Sequence, residues 1–128
     1  VYTVTAAGVR DCSGNALNTA ANSAKVGLAA VADSLDIVVN EILFNPKPLG
    51  VDYVEFYNRS NKVLDAANLF FTNRSSTTGN PGTLIPLSTA NRLIFPGEYY
   101  VVTENPDLIK QQFTVPNEAW LVASAMPS

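Results

Sequence analysis

The chain has 128 residues, of which 47% are hydrophobic and 15% charged, and its formal net charge is −3. That length has room for one domain with a hydrophobic core, or for one domain and part of another. Eight basic residues stand against eleven acidic ones, and no two basic residues are adjacent. The clustered positive surface that nucleic acids and anionic membranes require is therefore not expected, and no apolar run approaches the ~20 residues of a membrane span.

The absence of histidine and the single cysteine, Cys12, narrow the chemistry. Ser-His and Cys-His nucleophile pairs are excluded, and so is an intrachain disulfide. No motif places two carboxylates across a hydrolytic cleft, and the glycines form no phosphate-binding loop. We expect no enzymatic activity and no cofactor. Cys12 is interpreted as a small buried hydrophobe, with a reactive thiol as the alternative.

The N-terminal part is predicted to hold one strand and a linker. Residues 1–5 alternate apolar residues with Thr, as a strand does, and a polar turn follows in which Gly14 and Asn15 can take positive φ. Residues 18–36 are rich in Ala, Ser and Asn, a composition that fits a linker, a weak strand or a marginal helix. Because Gly27 lies inside the apolar patch at 26–31, an extended linker is the favoured prediction. The domain boundary is placed near residues 33–36.

Two runs rich in β-branched and aromatic residues, 37–46 and 53–58, form the predicted centre of the fold. A short connection containing Pro and Gly joins them, which favours an antiparallel hairpin at the centre of a β-sandwich. The apolar period of two slips at Asn40, so we predict a β-bulge there that returns Ile42 and Phe44 to the inward face.

Further short elements follow in chain order. Strands are predicted at 69–73, 83–87, 92–95 and 98–103, with an exposed loop at 74–82. Pro96 and Gly97 have the residues of a type II turn. Asn105, followed by Pro106, predicts the start of a short helix that ends near residue 113. The apolar end, residues 120–128, is predicted to stop without a closing strand.

Several blocks of the chain, taken together, resemble the bacterial lamin tail domain. In order, they are IVVNEI at 37–42, NP at 45–46, DYVEFYNRS at 52–60, VLD at 63–65 and LIFPGEYYVV at 93–102. The resemblance implies an all-β, Ig-like β-sandwich with one short helix near 105–113, and the residue pattern indicates the same class independently. Residues 1–17 resemble the closing strands of a bacterial Ig-like module.

The resemblance divides the chain into three parts: 1–17 as the end of a preceding Ig-like module, 18–36 as a linker and 37–128 as the lamin tail domain. Relatives continue through further strands that complete the sandwich, so this domain is expected to lack the last strands. We therefore expect an open sheet edge that residues 1–5 or 25–31 fill, within one chain or by strand exchange in an oligomer. Leu69 also stands where relatives commonly have tryptophan.

Function follows from the resemblance as an expectation. It implies a non-catalytic interaction or adhesion module of a secreted or cell-surface bacterial protein, which binds another protein or a glycan. The alternative is a structural spacer appended to an extracellular hydrolase. The possible ligand surface is the outward face of the second central strand, which carries Tyr53, Glu55 and Tyr57, although such tyrosines more often lie beneath a loop or second sheet.

Metal binding and glycosylation are weaker readings. The acidic residues Glu41, Asp52, Glu55 and Asp65 lie close in sequence, but they lack the alternating spacing of a calcium-binding loop. A zinc site would need His and Cys ligands, and the chain has no His and one Cys. No metal site is therefore expected. Two N-x-S sequences begin at residues 58 and 73 and are interpreted as coincidence.

Overall fold

A computed structural model describes residues 1–127 of the protein. Within them the strands are β1 (Tyr2–Thr5), β2 (Ser23–Val26), β3 (Ile37–Leu43), β4 (Tyr53–Asn58), β5 (Leu64–Asp65), β6 (Phe70–Phe71), β7 (Ile85–Pro86), β8 (Leu93–Ile94), β9 (Tyr99–Thr103) and β10 (Leu121–Ala123). One α-helix, α1 (Pro106–Gln112), follows β9, and 3₁₀ turns lie at Thr19–Ala21, Ala66–Asn68 and Glu118–Trp120. The predicted all-β class is confirmed.

The largest sheet has four strands in the order β10-β9-β4-β3. β4 is antiparallel to both of its neighbours, whereas β10 is parallel to β9. Three two-stranded antiparallel sheets accompany it, formed by β1 with β2, β5 with β8 and β6 with β7. β4 is thus paired along both of its edges, as the prediction of a central hairpin requires.

The predicted β-bulge is present in β3. Val39 pairs with Phe56 and Glu41 pairs with Glu55, so Asn40 is the extra residue. The register returns Ile42 to the face of β4 that points into the core, because Ile42 pairs with Val54. Ile42 is nevertheless 56% exposed, since β3 lies at the edge of the sheet.

For Phe44, the prediction of an inward position is wrong. It follows the end of β3 and is 81% exposed, so it is not part of the core. The bulge therefore returns Ile42 to the inward face, but it buries neither Ile42 nor Phe44.

The core lies on one face of the four-stranded sheet. Phe56 of β4 and the β9 residues Tyr100 and Val102 are buried against Leu87 and Ile94. These last two come from the segments that form the small sheets, which makes the packing two-layered. The Tyr100 hydroxyl donates to the Leu87 carbonyl at 3.0 Å, so its polar end is paired inside the core.

The opposite face of the sheet is covered by α1 and the chain that follows it. Asn105 caps the helix as predicted, because its Oδ1 accepts from the backbone N–H groups of Asp107 and Leu108 at 3.1 and 3.4 Å. Pro106 occupies the first turn, where its missing N–H costs nothing. Ile109 of α1 then packs with Tyr53.

The C-terminal segment corrects the prediction that the chain stops without a closing strand. Leu121–Ala123 forms β10 and pairs in parallel with β9, with Leu121 opposite Val101. The turn at Glu118–Trp120 leads into it, and Leu121 is buried. A parallel partner needs a long connection, and the chain from α1 to β10 supplies it.

The predicted linker at 18–36 is tied to the rest of the chain. Lys25 Nζ lies 2.7 Å from Glu98 Oε1, and the Ala30 N–H donates to the Val63 carbonyl at 2.8 Å. β1 pairs with β2 in a separate hairpin, so within one chain the strands expected to fill the open edge of the four-stranded sheet pair elsewhere. Strand exchange between chains, and the three-part domain division, stay predictions.

Cys12 is exposed, which corrects its interpretation as a buried hydrophobe. It lies in the turn between β1 and β2, where Gly14 has the positive φ of +85° predicted for it. The turn is held by Asp11, whose Oδ1 accepts from the backbone of Ser13 and Asn15. Polar side chains, rather than packing, thus fix this part of the chain.

Asn58, at the end of β4, is completely buried and fully hydrogen-bonded. Its Nδ2 donates to the carbonyls of Lys62 and Ile94, each at 2.9 Å. Its Oδ1 accepts from the N–H and hydroxyl of Ser60 at 3.1 and 2.7 Å. One side chain thereby joins the central strand, the turn that follows it and β8.

A second polar connection fixes the chain that enters β3. Lys62 Nζ lies 2.5 Å from Asp33 Oδ2 and 2.7 Å from Asp36 Oδ2. The hydrogen bond from Lys62 is the main reason that the pKa of Asp36 is lowered. The hydrogen bonds to Asp33 and Asp36 raise the pKa of Lys62 in turn. This ion pair fixes residues 33–36 against the turn after β4.

Replacing Asn58 tests whether this buried amide holds the fold together. Asn58→Ala leaves the Lys62 and Ile94 carbonyls and the Ser60 groups without their partner. At ~1–3 kcal/mol for each buried group left unpaired, we expect a loss of about 3 kcal/mol in the free energy of unfolding, measured by urea denaturation. Asn61→Ala, in the exposed turn, is the matched control and should change it little. Equal effects of the two variants would contradict the role of Asn58.

The Lys62 ion pair predicts a pH dependence. Because the pKa of Asp36 is lowered on folding, its contribution is present above the ordinary value of 3.8 and is lost as pH falls through the lower folded value. Lys62→Met should therefore be less stable than the parent at pH 7, and the difference should shrink below pH 3.8. Lys47→Met, at an exposed lysine, is the control in the same thermal melts. A difference that stays constant down to low pH would contradict the prediction.

Candidate ligand-binding groove

The outward face of the central strands carries the residues predicted as a ligand surface. Tyr53, Glu55 and Tyr57 alternate along β4 with the core residues, as the pleat of a strand requires. Across the β4–β9 pairing, Glu55 lies opposite Val101 and Tyr57 lies opposite Tyr99. The three predicted residues therefore do share one face.

A groove of about 220 Å³ lies between this face and the chain that follows α1. Its floor is formed by Tyr53, Glu55 and Val101 of the sheet, and its wall by Ile109 of α1 and residues 113–116. Trp120 and Leu121 line the remaining side. Its lining is mostly apolar, and Glu55 is the one charged residue among the described residues that line it. We refer to it below as the groove.

Aromatic rings flank Glu55 on both sides. Tyr53 meets Phe113 edge to face, with ring centroids 5.8 Å apart and planes at 82°. On the other side, Tyr57 contacts Tyr99 at 4.9 Å, and Tyr99 contacts Trp120 at 5.6 Å. Along β4, Glu55 thus lies between two tyrosines whose rings contact further aromatic side chains.

The alternative stated for these tyrosines, that they lie beneath another part of the chain, describes Tyr53. Tyr53 is only 8% exposed, because Phe113 and the helix cover it, and it forms part of the groove floor. Tyr57 is half-buried and lies beside the groove, joined to it through Tyr99 and Trp120. Glu55, half-buried, is the predicted residue that offers a polar group to a ligand.

Two carboxylates face each other across β3 and β4 next to the groove. Glu41 lies directly opposite Glu55 in the register. Glu41 Oε1 accepts from the Tyr53 hydroxyl at 2.6 Å, and Glu55 Oε1 accepts from Asn40 Nδ2 at 2.6 Å. Within residues 1–127, no lysine or arginine is paired with either carboxylate. Like charges directly opposite on neighbouring strands are destabilising, so this arrangement costs stability.

The two carboxylates also act on Tyr53. Burial of the phenol, followed by its hydrogen bond to Glu41 and the negative charges of Glu41 and Glu55, raises the pKa of Tyr53 to about 12. Each cause disfavours the ionised form of the phenol. Tyr53 therefore stays neutral at the floor of the groove, next to two carboxylates.

Trp120 carries a buried polar atom whose hydrogen bond is not made. Its indole Nε1 has no hydrogen-bond partner among residues 1–127. A buried donor without an acceptor costs on the order of 1–3 kcal/mol. The Trp120 side of the groove is thus held in place by ring contacts rather than by a hydrogen bond.

Sequence reasoning missed the wall of the groove. The sequence predicts Phe113 only as the end of the helix, and Trp120 only as part of an apolar end. The one available signal was that the chain's single tryptophan lies in a short segment after a helix. Its partner, Tyr99, is remote in sequence and is identified by the fold alone.

Other candidate sites are weaker than the groove. Among the described residues, no three acidic, histidine or cysteine side chains come together to hold a metal ion. No helix in that part of the chain has the length and apolarity to cross a membrane. Asn58 is fully buried in the folded chain, so its N-x-S sequence offers no accessible glycosylation site. A wider hollow of about 700 Å³ lies near residues 73–76 and 82–85, but its lining is largely polar.

The ionisation of Tyr53 tests the geometry of the groove floor. Glu41→Gln removes one negative charge and the carboxylate acceptor, so it should lower the pKa of Tyr53 from about 12 toward 10 in a tyrosine ¹³C NMR titration. Since the unfolded chain ionises near 10, the free energy of unfolding should fall as pH rises from 10 toward 12. Glu104→Gln, at an exposed carboxylate outside the groove, should leave the pKa unchanged. An unshifted Tyr53 in Glu41→Gln would contradict the contact.

Comparisons with known proteins identify no relative of this chain. The chain matches no protein-family model, no curated protein and no solved structure. The resemblance to the bacterial lamin tail domain therefore rests on the residue blocks described above.

Proposed function

We propose that this chain is a non-catalytic binding module of a secreted or cell-surface protein, and that the groove holds a segment of another protein or a glycan. The observation that carries the proposal is the aromatic lining of the groove around one carboxylate. Binding sites are typically concave and mostly apolar, with a few polar groups that set orientation. Tyrosine and tryptophan, in particular, are enriched where proteins bind partners.

The size of the groove supports a macromolecular ligand. Pockets for whole drug-sized molecules run to about 300–1,000 Å³. The groove, at about 220 Å³, suits one or two side chains or a single sugar ring. A groove of this size is suited to a module that binds one part of a larger partner.

The resemblance to the bacterial lamin tail domain supports the same proposal. The blocks that carry it include both strands that form the groove floor, at 52–60 and 93–102. In nuclear lamins the related domain is a protein-interaction module, and its bacterial relatives look like secreted or cell-surface domains. Under this proposal the chain contributes recognition, and any catalysis belongs to other domains.

Blocking the groove tests the proposal. The protein is screened against a displayed peptide library and a glycan array, and hits are confirmed by calorimetry. Thr114 is exposed and lines the groove, so Thr114→Trp should fill it without disturbing the core and should abolish binding. Thr89→Trp, at an exposed threonine elsewhere, is the matched control and should bind as the parent does.

If the chain is only a structural spacer, these binding experiments should give the opposite result. If neither library yields a ligand, or if every ligand binds Thr114→Trp as tightly as the parent, the groove is not a binding site. The structural spacer is then the better description of the chain.

A further inference from the structure

We propose that the groove recognises a basic side chain, arginine above all, within an extended segment of a protein partner. This inference rests on the proposed function, because it names the chemistry of the ligand for the same groove. It depends on three observations: an unneutralised pair of carboxylates, a ring arrangement suited to a cation, and the distribution of the nearby basic residues.

The first observation is charge. Glu55 lines the groove, and Glu41 lies opposite it and next to Tyr53 on the floor. Glu55 Oε1 accepts from Asn40, and Glu55 Oε2 accepts no hydrogen bond from residues 1–127. A carboxylate with free acceptor positions in a partly dry groove is complementary to a ligand that brings N–H donors and a positive charge.

The second observation is the aromatic surround. Tyr53, Phe113 and Trp120 line the groove together with Glu55, and the rings of Tyr53 and Phe113 are in contact. A guanidinium group stacks on aromatic faces and also pairs with a carboxylate through two parallel hydrogen bonds. One basic side chain can thus satisfy both features of the groove at once.

The third observation is that two basic residues from segments around the groove are engaged elsewhere. Lys110, on the helix that forms the wall, pairs with Asp107 at 2.8 Å and with Glu118 at 3.4 Å. Arg92 donates to the carbonyl of Ala119, outside the lining of the groove. The negative charge of the groove is thus left for a partner to neutralise.

The same observations disfavour the other occupants. A neutral glycan would use the rings but would leave the charge of the carboxylates uncompensated. A metal ion needs several oxygen ligands, and no group of three candidate ligands is formed in the described part of the chain. An acidic segment would meet like charge. A basic protein segment is the occupant that fits both charge and shape.

The test compares arginine with its neutral isostere. The probes are the capped peptides Gly-Leu-Arg-Leu-Gly and Gly-Leu-citrulline-Leu-Gly, and binding is followed by NMR shifts and by the fluorescence of Trp120, the chain's single tryptophan. At low ionic strength we expect the arginine peptide to bind about ten-fold more tightly. In ~1 M salt, where the screening length is ~3 Å, the difference in affinity between the two peptides should decrease.

Variants assign the preference to Glu55. Glu55→Gln keeps the shape of the side chain, so it should bind the two peptides equally. Glu104→Gln removes the same charge from an exposed position outside the groove and should retain the preference. The citrulline comparison needs no variant, so the result does not depend on whether Glu55→Gln folds.

The outcomes separate this inference from the proposed function. If the two peptides bind the parent equally and Thr114→Trp abolishes both, the groove binds ligands but the charge inference is overturned. If Glu55→Gln keeps the arginine preference, the inference is overturned as well. If no peptide and no glycan from the library screens binds the groove, the proposed function itself fails.

Discussion

The pleat of β4 is the constraint on which the rest of the structure depends. Its alternate residues serve two different surfaces: Phe56 enters the core, while Tyr53 and Glu55 form the floor of the groove. A slip of one residue in the pairing of β4 would move every side chain to the opposite face. Asn58 opposes such a slip, because it fixes the end of the strand to Lys62 and Ile94. The polar network thus protects both the core and the groove.

The bulge in β3 also shapes the floor of the groove. One extra residue, Asn40, changes the phase of the strand, so that Glu41 lies outside the core and next to Tyr53. The same residue supplies the amide that holds Glu55. A local irregularity in an edge strand therefore sets the charge and the hydrogen bonding of the groove floor. Bulges often redirect side chains in this way near functional sites.

The features that the sequence predicts well are those set by neighbouring residues. The hairpin and its bulge follow from the apolar period, the φ of +77° at Gly97 follows from a Pro-Gly turn, and the start of α1 follows from the Asn105 cap. The features that it misses depend on residues far apart in the chain. Phe113 covers Tyr53, and β10 pairs in parallel with β9, only because α1 folds back over the sheet. Neither a short-range period nor a cap residue carries that information.

The exposed edge formed by β3 has a consequence for the behaviour of the protein in concentrated solution. The backbone of an edge strand can pair with a strand of another chain. The side chains of Val39 and Ile42, which are 53% and 56% exposed, would give such a strand an apolar contact surface. The bulge at Asn40 interrupts the regular row of backbone donors and acceptors, and Glu41 adds a charge at the same place. An incoming strand can therefore pair with only a short stretch on either side of the bulge before the ladder is broken. The irregularity that shapes the groove thus also limits aggregation through the open edge of the sheet.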